Sequence, residues 1–66
     1  MDFDTACQTE IPFGKYSGKN LWDILQKDPK YVDYMCGMSL YGKFKEALDV
    51  FVKNSDVSRK IDLALD

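Results

Sequence analysis

Residues 14–20 are the part of the chain best suited to bind a charged ligand. This segment contains two glycines and two lysines within seven residues and has the sequence Gly-Lys-Tyr-Ser-Gly-Lys-Asn. A nucleotide phosphate loop needs four residues between its glycines and Ser or Thr after its lysine. Here three residues separate Gly14 from Gly18, and Asn20 follows Lys19. The spacing therefore argues against a nucleotide phosphate loop.

The remaining side chains offer little for catalysis. There is no histidine, and the two cysteines, Cys7 and Cys36, lie far apart in the sequence. A general base, an activated nucleophile or a four-ligand zinc site is hard to build from such a set. Asp23 and Asp28 are better explained as residues at helix starts than as metal ligands. We expect no enzyme activity, no cofactor and no metal, with both cysteines free and Cys36 buried at a helix end.

The sequence around residues 14–20 predicts a β-hairpin. In residues 9–13 the side chains of Thr9, Ile11 and Phe13 would lie on one face, as in a short edge strand. A three-residue loop over 16–18, with Gly18 in the left-handed region, would join strands 11–15 and 19–21. We therefore expect a hairpin whose tip carries Tyr16.

This hairpin register places Lys15 directly opposite Lys19. Like charges at opposed positions destabilise a strand pair. Either both ammonium groups extend into solvent, or an anion lies between them. Tyr16 at the loop tip could stack on a nucleobase, although most aromatic residues of a small domain serve its core. Lys15, Tyr16, Gly18 and Lys19 are thus the candidate nucleic-acid-binding residues.

Capping residues predict the helices that follow. Asn20 can cap a helix that starts at Leu21, and Asp28 followed by Pro29 is a typical helix start. Gly37 suits a left-handed helix stop. Ser39 is the candidate cap of a long amphipathic helix that runs to about residue 54, and a last short helix is expected after residue 56, with one apolar stripe. That stripe comprises Val57, Ile61 and Leu65.

Together these elements predict an α+β fold, in which a short N-terminal β-hairpin packs against two or three helices. Residues 1–8 lack periodicity and are expected to form a flexible acidic tail, while residues 9–66 form a single small domain. The side chains expected in the core are apolar or aromatic: Ile11, Phe13, Leu21, Trp22, Leu25, Tyr31, Val32, Met35, Phe44, Leu48 and Phe51.

Charge is distributed unevenly along the chain. The net charge is −2, but residues 11–45 carry six lysines against three aspartates, between two acidic ends. Such asymmetry concerns partners more than fold. The first residues lack the apolar run of a signal peptide, and no segment approaches the ~20 apolar residues of a membrane span. We expect a cytoplasmic protein that does not enter membranes.

Two motifs in order resemble the small domain at the C-terminus of exodeoxyribonuclease X and similar proteins. The first motif covers residues 13–19 as Phe-Gly-Lys-Tyr-Ser-Gly-Lys, and Leu21 follows it. The second covers residues 28–34 as Asp-Pro-Lys-Tyr-Val-Asp-Tyr. The family has tryptophan at the last position, where this chain has Tyr34. The similarity covers about residues 11–53, and the family also includes short free-standing proteins of phages and bacteria.

This resemblance implies a DNA- or RNA-associated accessory module. None of the catalytic residues of the nuclease domain can be transferred, because that domain lies outside the resemblance. The expected function is therefore non-catalytic nucleic-acid binding through a basic hairpin. The alternative is a small phage or mobile-element protein that binds and modulates a host protein. Either a monomer or a homodimer is compatible with the sequence.

Overall fold

The computed structural model describes residues 1–65, which form five α-helices, and the longest connection, residues 9–20, joins the first two. In chain order the helices are α1 (Phe3–Gln8), α2 (Leu21–Lys27), α3 (Pro29–Cys36), α4 (Gly42–Lys53) and α5 (Ser55–Leu65). Helix α1 packs against α4 and α2, while α5 packs against α3, α4 and α2. No described helix is both long and apolar enough to cross a bilayer.

The predicted starts of α2 and α3 are confirmed. The side chain of Asn20 accepts a hydrogen bond from the backbone N–H of Asp23 at 2.8 Å, which satisfies a free donor of the first turn. Asp28 caps α3 in the same way, and Pro29 occupies the first helical position. A local side chain-to-backbone bond needs no tertiary partner, and this is why the sequence alone located both helix starts.

The predicted β-hairpin, and with it the α+β fold class, is wrong. Between α1 and α2 the only strand-like pairing among the described residues is a single antiparallel bridge between Glu10 and Asn20. The intervening backbone is held by tight turns, in which Ser17 donates to Gly14 and Lys19 donates to Tyr16. These two turns lie within residues 14–19, so the predicted strand over 11–15 is not formed, and the backbone pairing is limited to the bonds that flank the single bridge.

The N-terminal segment, expected to be a loose tail, is helical in the structure. Asp2 caps α1 through a bond from the backbone N–H of Thr5 at 2.8 Å. Ala6 is completely buried, and the ring of Phe3 lies parallel to that of Phe51 with centroids 5.9 Å apart. The sequence signal was weak because this six-residue helix is short and only Phe3, Ala6 and Cys7 pack in or against the core.

The boundaries of the last two helices differ from the prediction at their starts. Helix α4 begins at Gly42 after Tyr41, which makes no side-chain capping bond, so the cap predicted at Ser39 is wrong. Its end at Lys53 agrees with the predicted end near residue 54. Helix α5 starts at Ser55, two residues before the predicted start, with Asn54 accepting from the N–H groups of the first turn.

Two details of the predicted helix ends are also wrong. Gly37 ends α3 with a φ of −86°, which is not left-handed. Cys36, expected to be buried beside it, is exposed, and Cys7 is half-buried. Both cysteines are free.

The hydrophobic core lies where the helices meet, and within residues 1–65 it contains twelve buried side chains. They are Ala6, Ile11, Leu21, Ile24, Leu25, Val32, Met35, Ala47, Leu48, Phe51, Val57 and Ile61.

Several residues predicted to be in the core lie at its edge. Phe13, Tyr31 and Phe44 are half-buried. Trp22 is 45% exposed, because Leu21 and Leu25 already occupy the inner face of α2. Leu65, predicted to complete the stripe of α5, is exposed.

Candidate functional site

The loop over residues 12–19 is shaped by two glycines. Gly14 has a φ of 75° and Gly18 a φ of 88°, values at which a side chain is strained. The left-handed conformation predicted for Gly18 is therefore confirmed. Backbone hydrogen bonds of Ile11 close the base of the loop. Its N–H donates to the carbonyl of Lys19, and its carbonyl accepts from the N–H of Gly18. Phe13 anchors the loop to α4 by an edge-to-face contact with Phe44.

Asp28 connects this loop to the start of α3. One oxygen, Oδ1, accepts the capping bond from the N–H of Tyr31 at 3.3 Å. The other, Oδ2, accepts from the hydroxyl of Tyr16 at 3.0 Å and lies 4.0 Å from the ammonium nitrogen of Lys15. A single carboxylate thus contacts two of the four loop residues that the sequence singled out, Lys15 and Tyr16.

Three tyrosines form a continuous row of rings next to Asp28. The ring centroids of Tyr16 and Tyr31 are 4.8 Å apart, and those of Tyr31 and Tyr34 are 5.5 Å apart. The ammonium nitrogen of Lys15 lies 5.1 Å from the Tyr16 centroid and 5.8 Å from that of Tyr31. These distances are within the range of cation–π attraction, which holds Lys15 over the row.

An open groove runs along this row of tyrosines. It has a volume of ≈ 310 Å³ and is lined by Lys15, Asp28, Lys30, Tyr31 and Tyr34. The Lys15 side chain is 71% exposed, and Tyr34 is 63% exposed. The groove therefore offers two cations and a largely exposed aromatic ring to the solvent. We call it the tyrosine groove.

The hydrogen bond to Asp28 changes the acidity of Tyr16. The phenol of Tyr16 donates a hydrogen bond to the carboxylate, so loss of its proton would break this bond and place two negative charges side by side. Partial desolvation of the phenol also disfavours its charged form. Both raise the pKa of Tyr16 above the usual value of a tyrosine. The Tyr16 hydroxyl is thus a stable donor at neutral pH, and its function here is to hold the loop in place.

The four predicted site residues have different roles in the structure. Lys15 lines the tyrosine groove and Tyr16 begins its row of rings, whereas Gly18 shapes the turn behind it. Lys19 is exposed and does not line the groove. The expected juxtaposition of Lys15 and Lys19 depended on the hairpin register, and the structure instead pairs Lys15 with Asp28.

Four groove residues were not predicted as site residues: Asp28, which was predicted only as a helix cap, and three residues of α3. Lys30, Tyr31 and Tyr34 follow the capping Asp28 on α3, and Tyr31 and Tyr34 are three residues apart. Side chains at this spacing lie on one face of a helix. That spacing was a usable signal, but its meaning depended on where the loop packs. Within residues 1–65, no three His, Cys, Asp or Glu side chains are grouped as a metal site would require.

The comparison with known families bears directly on this region. Residues 11–37 match the family described as exodeoxyribonuclease X-like C-terminal. The resemblance seen in the sequence is thereby confirmed over a segment narrower than the expected 11–53 and shorter than half of the chain. No curated protein and no solved structure matches the chain.

The segment that matches the exodeoxyribonuclease X-like C-terminal family contains every residue that lines the tyrosine groove. Its two motifs, separated in sequence by eight residues, meet in space through Asp28 and Tyr31. A side chain added at Gly14 would approach the Tyr31 hydroxyl to 2.6 Å. The glycine of the first motif and the tyrosine of the second are thus fitted to each other, which gives a physical reason for the two motifs to occur together.

Proposed function

We propose that the protein is a non-catalytic accessory module that binds nucleic acid through the tyrosine groove. The match to the exodeoxyribonuclease X-like C-terminal family is compatible with a nucleic-acid-associated role. The observation that carries the proposal is the convergence of both motifs on one exposed groove that combines Lys15 and Lys30 with tyrosine rings. Cations that bind phosphate next to aromatic rings are typical of surfaces that bind nucleic acids.

The charge of the groove implies weak binding. Asp28 offsets part of the positive charge of Lys15, and the acidic ends of the chain add long-range repulsion of phosphate. Two lysine–phosphate contacts predict a slope of log affinity against log salt of roughly −1.4 to −1.8. We therefore expect the module to act together with a partner, or as one of several contacts, because two phosphate contacts alone give poor affinity.

Fluorescence anisotropy with labelled DNA and RNA at low salt tests this function. Lys15→Gln removes one phosphate contact and is expected to weaken binding and to lower the salt slope to about −0.7 to −0.9. Lys53→Gln is the matched control, because Lys53 is also exposed but lies at the C-terminal end of α4, outside the groove. The proposal fails if no nucleic acid binds, or if both variants bind as the wild type does.

The absence of catalysis is part of the proposal and has its own test. Labelled single- and double-stranded DNA and RNA are incubated with the protein and Mg²⁺ and then separated by length. We expect the substrates to stay intact, because the groove holds only one carboxylate and no histidine is available as a base. Cleavage that disappears in Asp28→Asn would show that the groove is an active site.

Binding to a protein is a second candidate function, and it is favoured by a different surface. Trp22 is 45% exposed on α2, and its ring lies beneath Lys60 of α5, whose ammonium nitrogen is 5.9 Å from the ring centroid. Tryptophan is among the residues enriched at protein interfaces. If the protein forms a salt-insensitive complex with another protein, and that complex is lost in Trp22→Ala but retained in Lys15→Gln, protein binding becomes the leading function.

A further inference from the structure

We infer that the tyrosine groove takes a single-stranded segment of nucleic acid, with one base stacked on Tyr34 and the adjoining phosphate held by Lys15 and Lys30. This inference rests on the proposed function and specifies its ligand. It follows from how the row of rings ends, from where the cations lie, and from the size of the groove.

The row of tyrosines has one closed end and one open end. Tyr16 is fixed by its bond to Asp28 and covered by Lys15, and Tyr31 lies between its two neighbours. Tyr34 ends the row, contacts only Tyr31 within it, and remains 63% exposed. A flat base added on Tyr34 would continue the row. Stacking of this kind tolerates any base, because every base has a π-face.

The cations are placed to bind the phosphate next to that base. Lys15 and Lys30 both line the groove that Tyr34 borders. The contact between Lys15 and Asp28 is long, at 4.0 Å, and the lysine side chain is mostly exposed. An ion pair of this kind contributes little to stability, and the cation–π contacts of Lys15 are weak because its side chain is exposed, so Lys15 can turn from the carboxylate to a phosphate at low cost. Asp28 remains occupied by Tyr16 and by the N–H of Tyr31.

The geometry favours single strands over duplexes. In a duplex the bases are stacked on each other inside the helix, and a protein ring can reach their faces only if a base is extruded at additional cost. The groove volume of ≈ 310 Å³ is at the small end of the roughly 300–1,000 Å³ typical of ligand pockets. A groove of this size offers its lining residues to about one nucleotide, and only a strand whose bases are exposed can present a base face to Tyr34.

The test compares three ligands of equal length by NMR titration at low salt. They are a single-stranded oligonucleotide, the same sequence as a duplex, and a single strand in which abasic sites replace the bases. We expect the ordinary single strand to bind most tightly and to shift the ring protons of Tyr34. Tyr34→Leu should weaken this binding roughly 5- to 150-fold, the range for loss of one stacked base. It should leave the weak binding of the abasic strand unchanged.

Tyr41→Leu is the matched control, because Tyr41 is 89% exposed but does not line the groove. Thermal melts establish that both variants fold, which is expected for exposed positions. Equal affinity for the three ligands, or equal effects of the two substitutions, would overturn the single-strand inference while leaving nucleic-acid binding in place. Failure of all three ligands to bind would instead reject the proposed function and the inference together.

Discussion

The contact between Gly14 and Tyr31 gives a sharp test of how the two motifs are coupled. Alanine at position 14 meets two penalties. The left-handed φ of 75° costs about 1 kcal/mol for a residue with a Cβ. The new Cβ would also lie 2.6 Å from the Tyr31 hydroxyl, and relief of such an overlap typically costs a further 1–2 kcal/mol or so. Tyr31 cannot move away freely, because it is packed between Tyr16 and Tyr34.

Gly18→Ala is the matched control for the backbone penalty. Gly18 has a similar φ of 88°, but a Cβ built there meets no atom within 4 Å. We expect Gly18→Ala to lower the unfolding free energy by about 1 kcal/mol and Gly14→Ala by about 2–3 kcal/mol. In a domain of this size each kcal/mol corresponds to roughly 4–8 °C in melting temperature.

A double-mutant cycle with Tyr31→Phe isolates the clash. Phenylalanine removes the hydroxyl, and no described residue forms a hydrogen bond with it, so Tyr31→Phe alone should change stability little. The next nearest ring atom, Cζ, would be 3.9 Å from the new Cβ, which is an ordinary contact. In the Tyr31→Phe background, Gly14→Ala should therefore cost only as much as Gly18→Ala.

Chemical denaturation followed by circular dichroism measures all four proteins of this cycle and the Gly18 control. Equal costs for Gly14→Ala with and without the Tyr31 hydroxyl would refute the proposed fit between the two motifs. Equal costs for Gly14→Ala and Gly18→Ala in the wild-type background would refute it as well.

Two further predictions concern α1 and the Tyr16 hydroxyl. Phe3→Ala should lower the unfolding free energy by about 2 kcal/mol, because the half-buried ring packs on Phe51. Gln8→Ala, at an exposed position of the same helix, should change it little. Equal denaturation midpoints for the two variants would show that α1 is not packed against the rest of the protein. The hydrogen bond that raises the pKa of Tyr16 stabilises the fold fully below about pH 10. This stabilisation is lost as the pH rises through the raised pKa of Tyr16 in the folded protein. The stability advantage of wild type over Tyr16→Phe should therefore shrink at alkaline pH, and the ultraviolet titration of Tyr16→Phe should lack a tyrosine component that titrates late; an advantage that persists at high pH would contradict this.

The helices that the sequence predicted best are those whose starts are encoded locally. Asn20 and Asp28 each satisfy a backbone donor three residues ahead, so their effect is visible in the sequence itself. The start of α4 was predicted wrongly because Tyr41 makes no capping bond, and the more favourable Ser39 drew the prediction two residues too early.

The loop was mispredicted because its conformation depends on distant contacts. The positive φ of Gly18 was predicted, but that of Gly14 was not. The positive φ of Gly14 makes the chain turn before a strand can form. The loop then packs against Tyr31 and Asp28 of α3, which no local pattern reveals. The candidate site was consequently predicted only in part: Lys15 and Tyr16 were identified, and the second half of the groove was missed.

Trp22 shows a different kind of error, which the periodicity of a helix could have prevented. Its apolar neighbours led to a core assignment. On an α-helix, however, Leu21, Ile24 and Leu25 share one face, and Trp22 lies about 100° around the axis from Leu21. The structure places the first three inside and leaves the tryptophan at the edge.

The double use of Asp28 ties the mobility of the loop to that of a helix. One carboxylate oxygen restrains the Tyr16 side chain, and the other closes the first turn of α3. When the Tyr16 hydroxyl leaves Asp28, the carboxylate gains rotational freedom. The capping hydrogen bond that it accepts from the N–H of Tyr31 is then weakened as well. We therefore expect the loop and the first turn of α3 to open and close together, which hydrogen exchange would detect as amides losing protection together. A ligand that reduces the mobility of the loop would, through Asp28, also reduce the mobility of the first turn of α3.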